Sequence, residues 1–369
     1  MLRRFAAFLT VFQTVLILVH AFLYLTWDYF WTPGRGETHR GLLAALGILS
    51  VSFLAVSIVG FRTTNVAVRF FYRIAAVWLG FVNYVFFSAL LCWVFFLAAR
   101  LVGRGSDRES FALAFLTLAV AVTAYGVTNS ERTRIRHVNI ALSGLPQSWR
   151  GRTAVLATDV HLGNFRTFRF AKRIVGLGNS LKPDVVFLGG DLYDGTPADL
   201  AKLASPFAAL RPPLGIFFVE GNHEEFSNSE KYLAAVRSAG VRVLNNEKIE
   251  VDGLQIIGVT YRDATHGEHF RKTLRNTGFD RARASILLTH APDRVQVTAE
   301  EGISLQLSGH THRGQFWPWT LAAKRMYGKF VYGLQSLGTL QVYTSCGAGT
   351  WGPPLRVGSA PEIVAIHFT

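Results

Sequence analysis

The apolar residues of this chain are unevenly distributed. Four uncharged apolar runs, 5–27, 41–61, 74–99 and 111–130, fill the first third. Asp28, Arg62, Arg100 and Glu131 close them, and no Asp, Glu, Lys or Arg lies inside. A spanning helix needs about 20 apolar residues, so each run predicts one crossing. Trp27, Tyr29, Trp31 and Tyr72 fall near run ends, where amphipathic rings prefer the bilayer interface. Beyond residue 130 the runs shorten to strand length. The pattern predicts strands at 134–141, 154–158, 184–188, 215–219, 254–259, 285–288, 304–307, 342–345 and 363–368. Helical spacing recurs at 168–179, 198–210 and 230–240. Strands alternating with helices predict an α/β sheet domain. The expected organisation is therefore a transmembrane module (1–130), a linker with a first strand (131–152) and an α/β domain (153–369).

Charge adds orientation. Ten arginines and four acids precede Asn129, leaving 28 basic and 20 acidic residues after it. Both parts are basic, which suits anionic lipid or a phosphate-bearing substrate. No basic block interleaved with aromatics points to nucleic acid. With the N-terminus inside, the inner flanks carry Arg3, Arg4, Arg62, Arg69, Arg73, Arg132, Arg134 and Arg136. The outer flanks carry Arg35, Arg40, Arg100, Arg104 and Arg108. That bias predicts an integral protein of a bacterial-type inner or plasma membrane, with its second part on the cytoplasmic side. The first run exceeds a signal peptide's apolar region of about 7–15 residues, and no A-x-A-like site follows it. It is therefore read as a retained anchor. Inside the runs only His20, Asn83 and scattered Ser or Thr are polar, so anchoring is expected rather than transport.

The two cysteines, Cys92 and Cys346, make neither a disulfide framework nor a zinc-type spacing. Any metal must be held by His, Asp and Asn. Such side chains cluster directly after predicted strands. Asp159-Val160-His161 follows the second, Gly189-Gly190-Asp191 the third and Glu220-Gly221-Asn222-His223-Glu224 the fourth. Thr289-His290 and Ser308-Gly309-His310-Thr311-His312 follow later ones. Functional residues of open α/β sheets gather at strand carboxyl ends. Carboxylate plus imidazole ligation suits Mn, Fe or Zn better than Ca or Mg. An Asp can bridge two ions about 3.5–4 Å apart, the geometry of two-metal hydrolysis.

These motifs, in this order, resemble the calcineurin-like metallophosphoesterases from about residue 153 to the C-terminus. The continuation Arg313-Gly314-Gln315 with Pro318 is similar to the membrane-associated phosphodiesterase branch. So is the run of Gly347, Gly349, Pro354, Arg356, Pro361, Glu362 and Ile363. That branch includes UDP-2,3-diacylglucosamine hydrolases. The resemblance implies a two-sheet sandwich flanked by helices (α-β-β-α). It implies one metal on Asp159, His161 and His312, a second on Asn222, His290 and His310, and Asp191 as bridge. Glu224, where Asp is commoner, keeps the charge. Arg313, often Gly in this branch, narrows the site or adds a phosphate contact.

The expected chemistry is attack of a metal-bridging hydroxide on a phosphodiester or pyrophosphate, with His223 as general acid. A lipid-linked or nucleotide-diphosphate substrate is expected. Arg356 is read either as a phosphate clamp or as a solvent-facing loop residue. The alternatives are a phosphomonoesterase or protein phosphatase, and a silent membrane scaffold. The segment 316–340 mixes Phe316, Trp317, Trp319, Met326, Tyr327, Phe330 and Tyr332 with Lys324, Arg325 and Lys329. It reads as a membrane-interface element or as a loop capping the core.

Overall fold

The computed structural model describes residues 2–31, 37–103, 107–225 and 229–369. Contacts divide the chain into two compact units. One is Met1–Thr128 with Gly352–Leu355, and the other is Asn129–Trp351 with Arg356–Thr369.

The first unit contains four helices, α1 (Leu2–Trp31), α2 (Glu37–Gly60), α3 (Val66–Leu101) and α4 (Arg108–Ser130). All four are long and apolar enough to cross a membrane. They outrun the uncharged segments, because flanking charges at an interface do not interrupt backbone hydrogen bonding. Helix α1 continues through Asp28, and α3 begins at Val66, where Asn65 Oδ1 accepts the amide of Val68 at 2.8 Å. Such an N-cap satisfies one of the orphan donors of a helix start. Leu18, Ile48, Phe70 and Val94 are exposed, whereas Phe30, Cys92, Phe96 and Ala112 pack together. The ring of His20 is not an open ion ligand. Its Nδ1 lies 2.7 Å from Leu16 O, and its Nε2 accepts Trp78 Nε1 at 3.0 Å, linking α1 to α3. Arg35 and Arg104 of the charge count lie outside the described residues.

The second unit holds twelve strands among the described residues. They are β1 (Arg134–Ile140), β2 (Thr153–Ala157), β3 (Val185–Leu188), β4 (Ile216–Phe218), β5 (Arg242–Val243), β6 (Glu247–Val251), β7 (Leu254–Gly258), β8 (Ser285–Leu288), β9 (Leu305–Ser308), β10 (Gly333–Leu337), β11 (Leu340–Thr344) and β12 (Glu362–Phe368). They form two six-stranded sheets, β1-β12-β2-β3-β4-β5 and β10-β11-β9-β8-β7-β6. The central strands β2 to β5 run parallel, as do β7, β8, β9 and β11. Their carboxyl ends within each sheet therefore share one edge.

Period-2 alternation builds the layers. Leu156, Phe187 and Phe217 of the first sheet meet Ile256, Ile286, Leu305 and Tyr343 of the second in one buried cluster. The alternate residues Val155, Val186 and Phe218 face outward onto helices Phe168–Ser180 and Ser229–Ser238. Ile257, Leu287 and Val342 face outward onto helices Gly267–Asn276 and Val295–Glu300. The result is the expected helix–sheet–sheet–helix sandwich.

Some local expectations change. The helix expected over 198–210 is α-helical only over Leu200–Ala204 and continues as a 3₁₀ helix over Ser205–Ala209. Pro206 lacks the amide that an α-helix would use there. Strand β6 carries no apolar run, since Glu247-Lys248-Ile249-Glu250-Val251 is mostly charged, yet it pairs with β7 across Asp252-Gly253. Segment 316–340 is packed only in part. Phe316 and Phe330 pack inward and Gly333–Leu337 is an edge strand, while helix Trp319–Tyr327 buries only Ala323.

Candidate metal centre

The residues following β2, β3, β4, β8 and β9 converge. Asp159, His161, Asp191, His223 and His290 are all buried, and His310 and His312 are partly so. Among the described residues, three groups offer ligand atoms within 4.8 Å of one another: Asp159/His161/His312, Asp191/His290/His310 and His161/Asp191/His223. Asp191 belongs to two of them. His290 Nε2 lies 3.1 Å from Asp191 Oδ2, and His312 Nε2 lies 3.4 Å from Asp159 Oδ1. His161 Nε2 stands 3.0 Å from His312 Nε2, and His310 Nδ1 stands 3.2 Å from His290 Nε2. Ring nitrogens this close, with carboxylates beside them, suit a shared cation.

Unusual backbone brings these side chains together. Asp159, His161, Asp191, His310 and His312 all have positive φ, between 46° and 67°. Non-glycine residues avoid this left-handed region, and where they adopt it the surrounding structure must hold them there. Close approach requires glycine at two neighbours. A Cβ on Gly221 would lie 2.1 Å from Asp191 Oδ1, and one on Gly309 would lie 2.2 Å from Asp159 Oδ2.

Hydrogen bonds interlock the loops. The amide of His310 donates to both oxygens of Asp159 at 3.1 Å, and the amide of His223 donates to Asp191 Oδ1 at 3.0 Å. The buried Glu224 carboxylate accepts the amides of Asp191 and Tyr193 at 3.0 Å and of Gly221 at 2.8 Å. One side chain thus fixes the loops after β3 and β4. His290 Nδ1 donates to Gly189 O at 2.8 Å, so its Nε2 faces Asp191. The second nitrogen of a metal-binding histidine commonly makes such a bond.

Burial disfavours charge on several rings. It holds His161 and His312 well below the usual imidazole range and pushes His310 down to about 3. Burial opposes a charge on His290 too, but Asp191 and Asp159 outweigh it and raise that ring to about 10. Burial raises Asp159 to about 6. Burial works to raise Asp191 also, yet His290 and His223 hold it well below the carboxylate range. A metal at such a centre competes with protons for the same nitrogens and oxygens.

A divalent cation fits this donor set. Asn222 Oδ1 and His161 Nδ1 are buried without a hydrogen-bond partner. Buried polar atoms are otherwise nearly always paired, so an orphaned amide oxygen on the residue preceding His223 is suited to a cation. The structure brings all seven sequence-predicted ligands to this region.

Arg356 stands elsewhere than a phosphate clamp or a solvent-facing loop residue would. Its guanidinium is fully buried and donates to His312 O, Gly349 O and Ser359 Oγ at 2.9, 2.5 and 3.3 Å. Its Nη2 lies 3.0 Å from His312 Nδ1. Arg313 is exposed, with its guanidinium 4.8 Å from the Tyr332 ring centroid.

Two further residues border the centre. His223 Nδ1 donates to the Asp194 backbone carbonyl at 3.0 Å, leaving Nε2 3.9 Å from Asp191 Oδ2. Sequence reasoning could not have found Asp194, since any residue has a carbonyl. Trp351 is exposed, and its ring lies 5.8 Å from that of His223. A tryptophan among glycines and prolines was its only signal.

A family model described as calcineurin-like phosphoesterase matches residues 153–314. A zebrafish (Danio rerio) protein described as a transmembrane protein with metallophosphoesterase domain is 33% identical over 287 residues. That match covers 73% of this chain and 64% of the zebrafish protein, so the chain spans under two thirds of that relative's length. An uncharacterized metallophosphoesterase of Campylobacter jejuni is 30% identical over 298 residues, covering 78% of this chain and 79% of the relative. One from Aquifex aeolicus is 31% identical over 258 residues, covering 68% and 97%.

Proposed function

This chain belongs to the calcineurin-like phosphoesterases and is a membrane protein with a metal-dependent hydrolase unit, and we propose that the unit cleaves phosphodiester or pyrophosphate bonds. The observation that carries the proposal is the convergence of two ligand triads that share one carboxylate neighbourhood, Asp159/His161/His312 and Asp191/His290/His310. Two ions of the Mn, Fe or Zn type are proposed. Asp159, His161 and His312 would hold one, Asn222, His290 and His310 the other, and Asp191 both. When bound, such ions lower the pKa of water and neutralise phosphate charge.

The chain's own residues supply the rest. The His223 ring is held by Asp194 O so that Nε2 points towards Asp191. Protonated at both nitrogens, it can pass the Nε2 proton to the leaving oxygen while Nδ1 keeps its bond. Burial of Asp159, Asp191 and His290 excludes bulk water and strengthens each electrostatic interaction. The exposed Trp351 ring beside His223 gives a leaving group of some size a surface to rest on, which favours a diester over a monoester. The bias of flanking arginines supports a cytoplasmic position for this unit.

The test is metal analysis of purified chain together with hydrolysis of bis-p-nitrophenyl phosphate and p-nitrophenyl phosphate. About two ions per chain and preference for the diester are expected. A metal-loaded chain that hydrolyses only the monoester would overturn the diesterase reading.

A further inference from the structure

The exposed large apolar side chains described for the second unit fall in two places: Trp317, Trp319, Leu321 and Met326 in one segment, and Trp351. Charge follows the same stretch. No Asp or Glu occurs between Glu301 and Glu362, while Arg313, Lys324, Arg325 and Lys329 are present and exposed. A helix facing water normally carries both signs of charge and turns its apolar residues inward. Helix Trp319–Tyr327 does neither, since only Ala323 is buried.

This surface is continuous with the metal centre. Gln315 is buried, directly precedes Phe316 and grips the Trp351 backbone. Its Oε1 accepts the Trp351 amide and its Nε2 donates to the Trp351 carbonyl, both at 3.0 Å. Trp351 in turn neighbours His223. At the other end of the helix, the Tyr327 ring lies 6.3 Å from that of His310. The apolar and basic rim therefore borders the site at two points.

We propose that Trp317, Trp319, Leu321, Met326 and Trp351, with Lys324 and Arg325, dock on an anionic bilayer surface, so that the centre takes a phosphate ester held in the lipid. The substrate class rests on the phosphoesterase reading above, whereas the docking does not. Tryptophan favours the interface, and basic residues without acids complement anionic headgroups. The four membrane-crossing helices keep a bilayer at high effective concentration. A second copy is a poor occupant. A twofold contact through this patch would set like charges against each other, with no acid to offset them.

The test uses the full chain in nanodiscs with Met326→Cys carrying an environment-sensitive dye. Cys92 and Cys346 are buried, and the unsubstituted chain serves as the labelling control. In phosphatidylglycerol-containing discs, blue-shifted emission and quenching by a shallow nitroxide lipid are expected. Both should weaken clearly in phosphatidylcholine discs and in the Lys324→Glu, Arg325→Glu double variant. Detergent-like emission without quenching in every disc would refute docking. Equal quenching in both lipids would refute the choice of anionic lipid. With dodecyl p-nitrophenyl phosphate in the discs, the double variant is expected to raise KM about tenfold or more. Its KM for soluble bis-p-nitrophenyl phosphate should be unchanged, and equal changes on both would refute the lipid-held substrate. Loss of soluble-diester hydrolysis in all samples would count against the phosphoesterase reading and leave the docking result standing.

Discussion

Arg356 lies beneath His312, with Nη2 3.0 Å from its Nδ1 and Nη1 2.9 Å from its carbonyl oxygen. Its guanidinium also donates to the Gly349 carbonyl at 2.5 Å, so it ties the loop carrying His312 to the 347–349 turn. Removing the guanidinium strands the carbonyls of His312 and Gly349. Each buried group left unsatisfied costs about 1–3 kcal/mol. Arg356→Met is therefore expected to destabilise the second unit by about 3 kcal/mol or more, read by thermal melting. Bound metal per chain should fall as well. Arg356→Lys should recover part of the stability without changing KM for bis-p-nitrophenyl phosphate, and a large KM change would point back to a substrate contact.

His223 and Asp191 are expected to fail differently. His223→Ala should lower kcat about 10²–10⁴-fold with metal content retained, as for loss of a general acid. Asp191→Asn should instead lower metal content itself. Elemental analysis beside kinetics separates the two, and parallel loss of metal in His223→Ala would sink its assignment.

Gly309 has no room for a side chain. An added Cβ would meet Asp159 Oδ2 at 2.2 Å and Thr158 Oγ1 at 2.5 Å. Gly309→Ala should displace Asp159, costing about 1–3 kcal/mol in stability and weakening metal binding at the Asp159/His161/His312 triad. Metal titration of the apo chain should then show one weakened site beside one near normal.

Far from the centre, the buried Glu301 carboxylate accepts Arg275 Nε and Nη2 at 3.0 and 2.8 Å and Arg271 Nη1 at 3.0 Å. The bonds from Arg275, and then Arg271, hold its pKa below the usual range despite burial. A depressed folded pKa means the stabilisation is present above the unfolded value of about 4.3 and disappears as pH falls through the folded one. Glu301→Gln should cost about 2 kcal/mol at neutral pH. The Tm deficit against wild type should then close as pH falls below about 4. A deficit constant from pH 7 to pH 3 would refute this origin.

Much of this was legible in the sequence, for identifiable reasons. Apolar runs such as 285–288 have one stable placement, buried on both faces, and polar clusters that end such runs must sit at one sheet edge. That reasoning located Asp159, Asp191 and His290. It failed where a neighbouring element or a backbone partner decides the outcome. The charged strand Glu247–Val251 is recruited by the adjoining β7. Arg356 looked like a loop cation because its acceptors, the carbonyls of His312 and Gly349, carry no side-chain signature.

The five left-handed residues of the centre have a kinetic consequence. An unfolded chain rarely visits that conformation, at roughly 1–2 kcal/mol per residue. The folded sheets and the interlocking amides of His223 and His310 therefore hold it. Capture of metal is then expected to require little rearrangement of the chain. The apo protein is expected to fold fully, and ions should exchange at a ready-made socket rather than nucleate the fold.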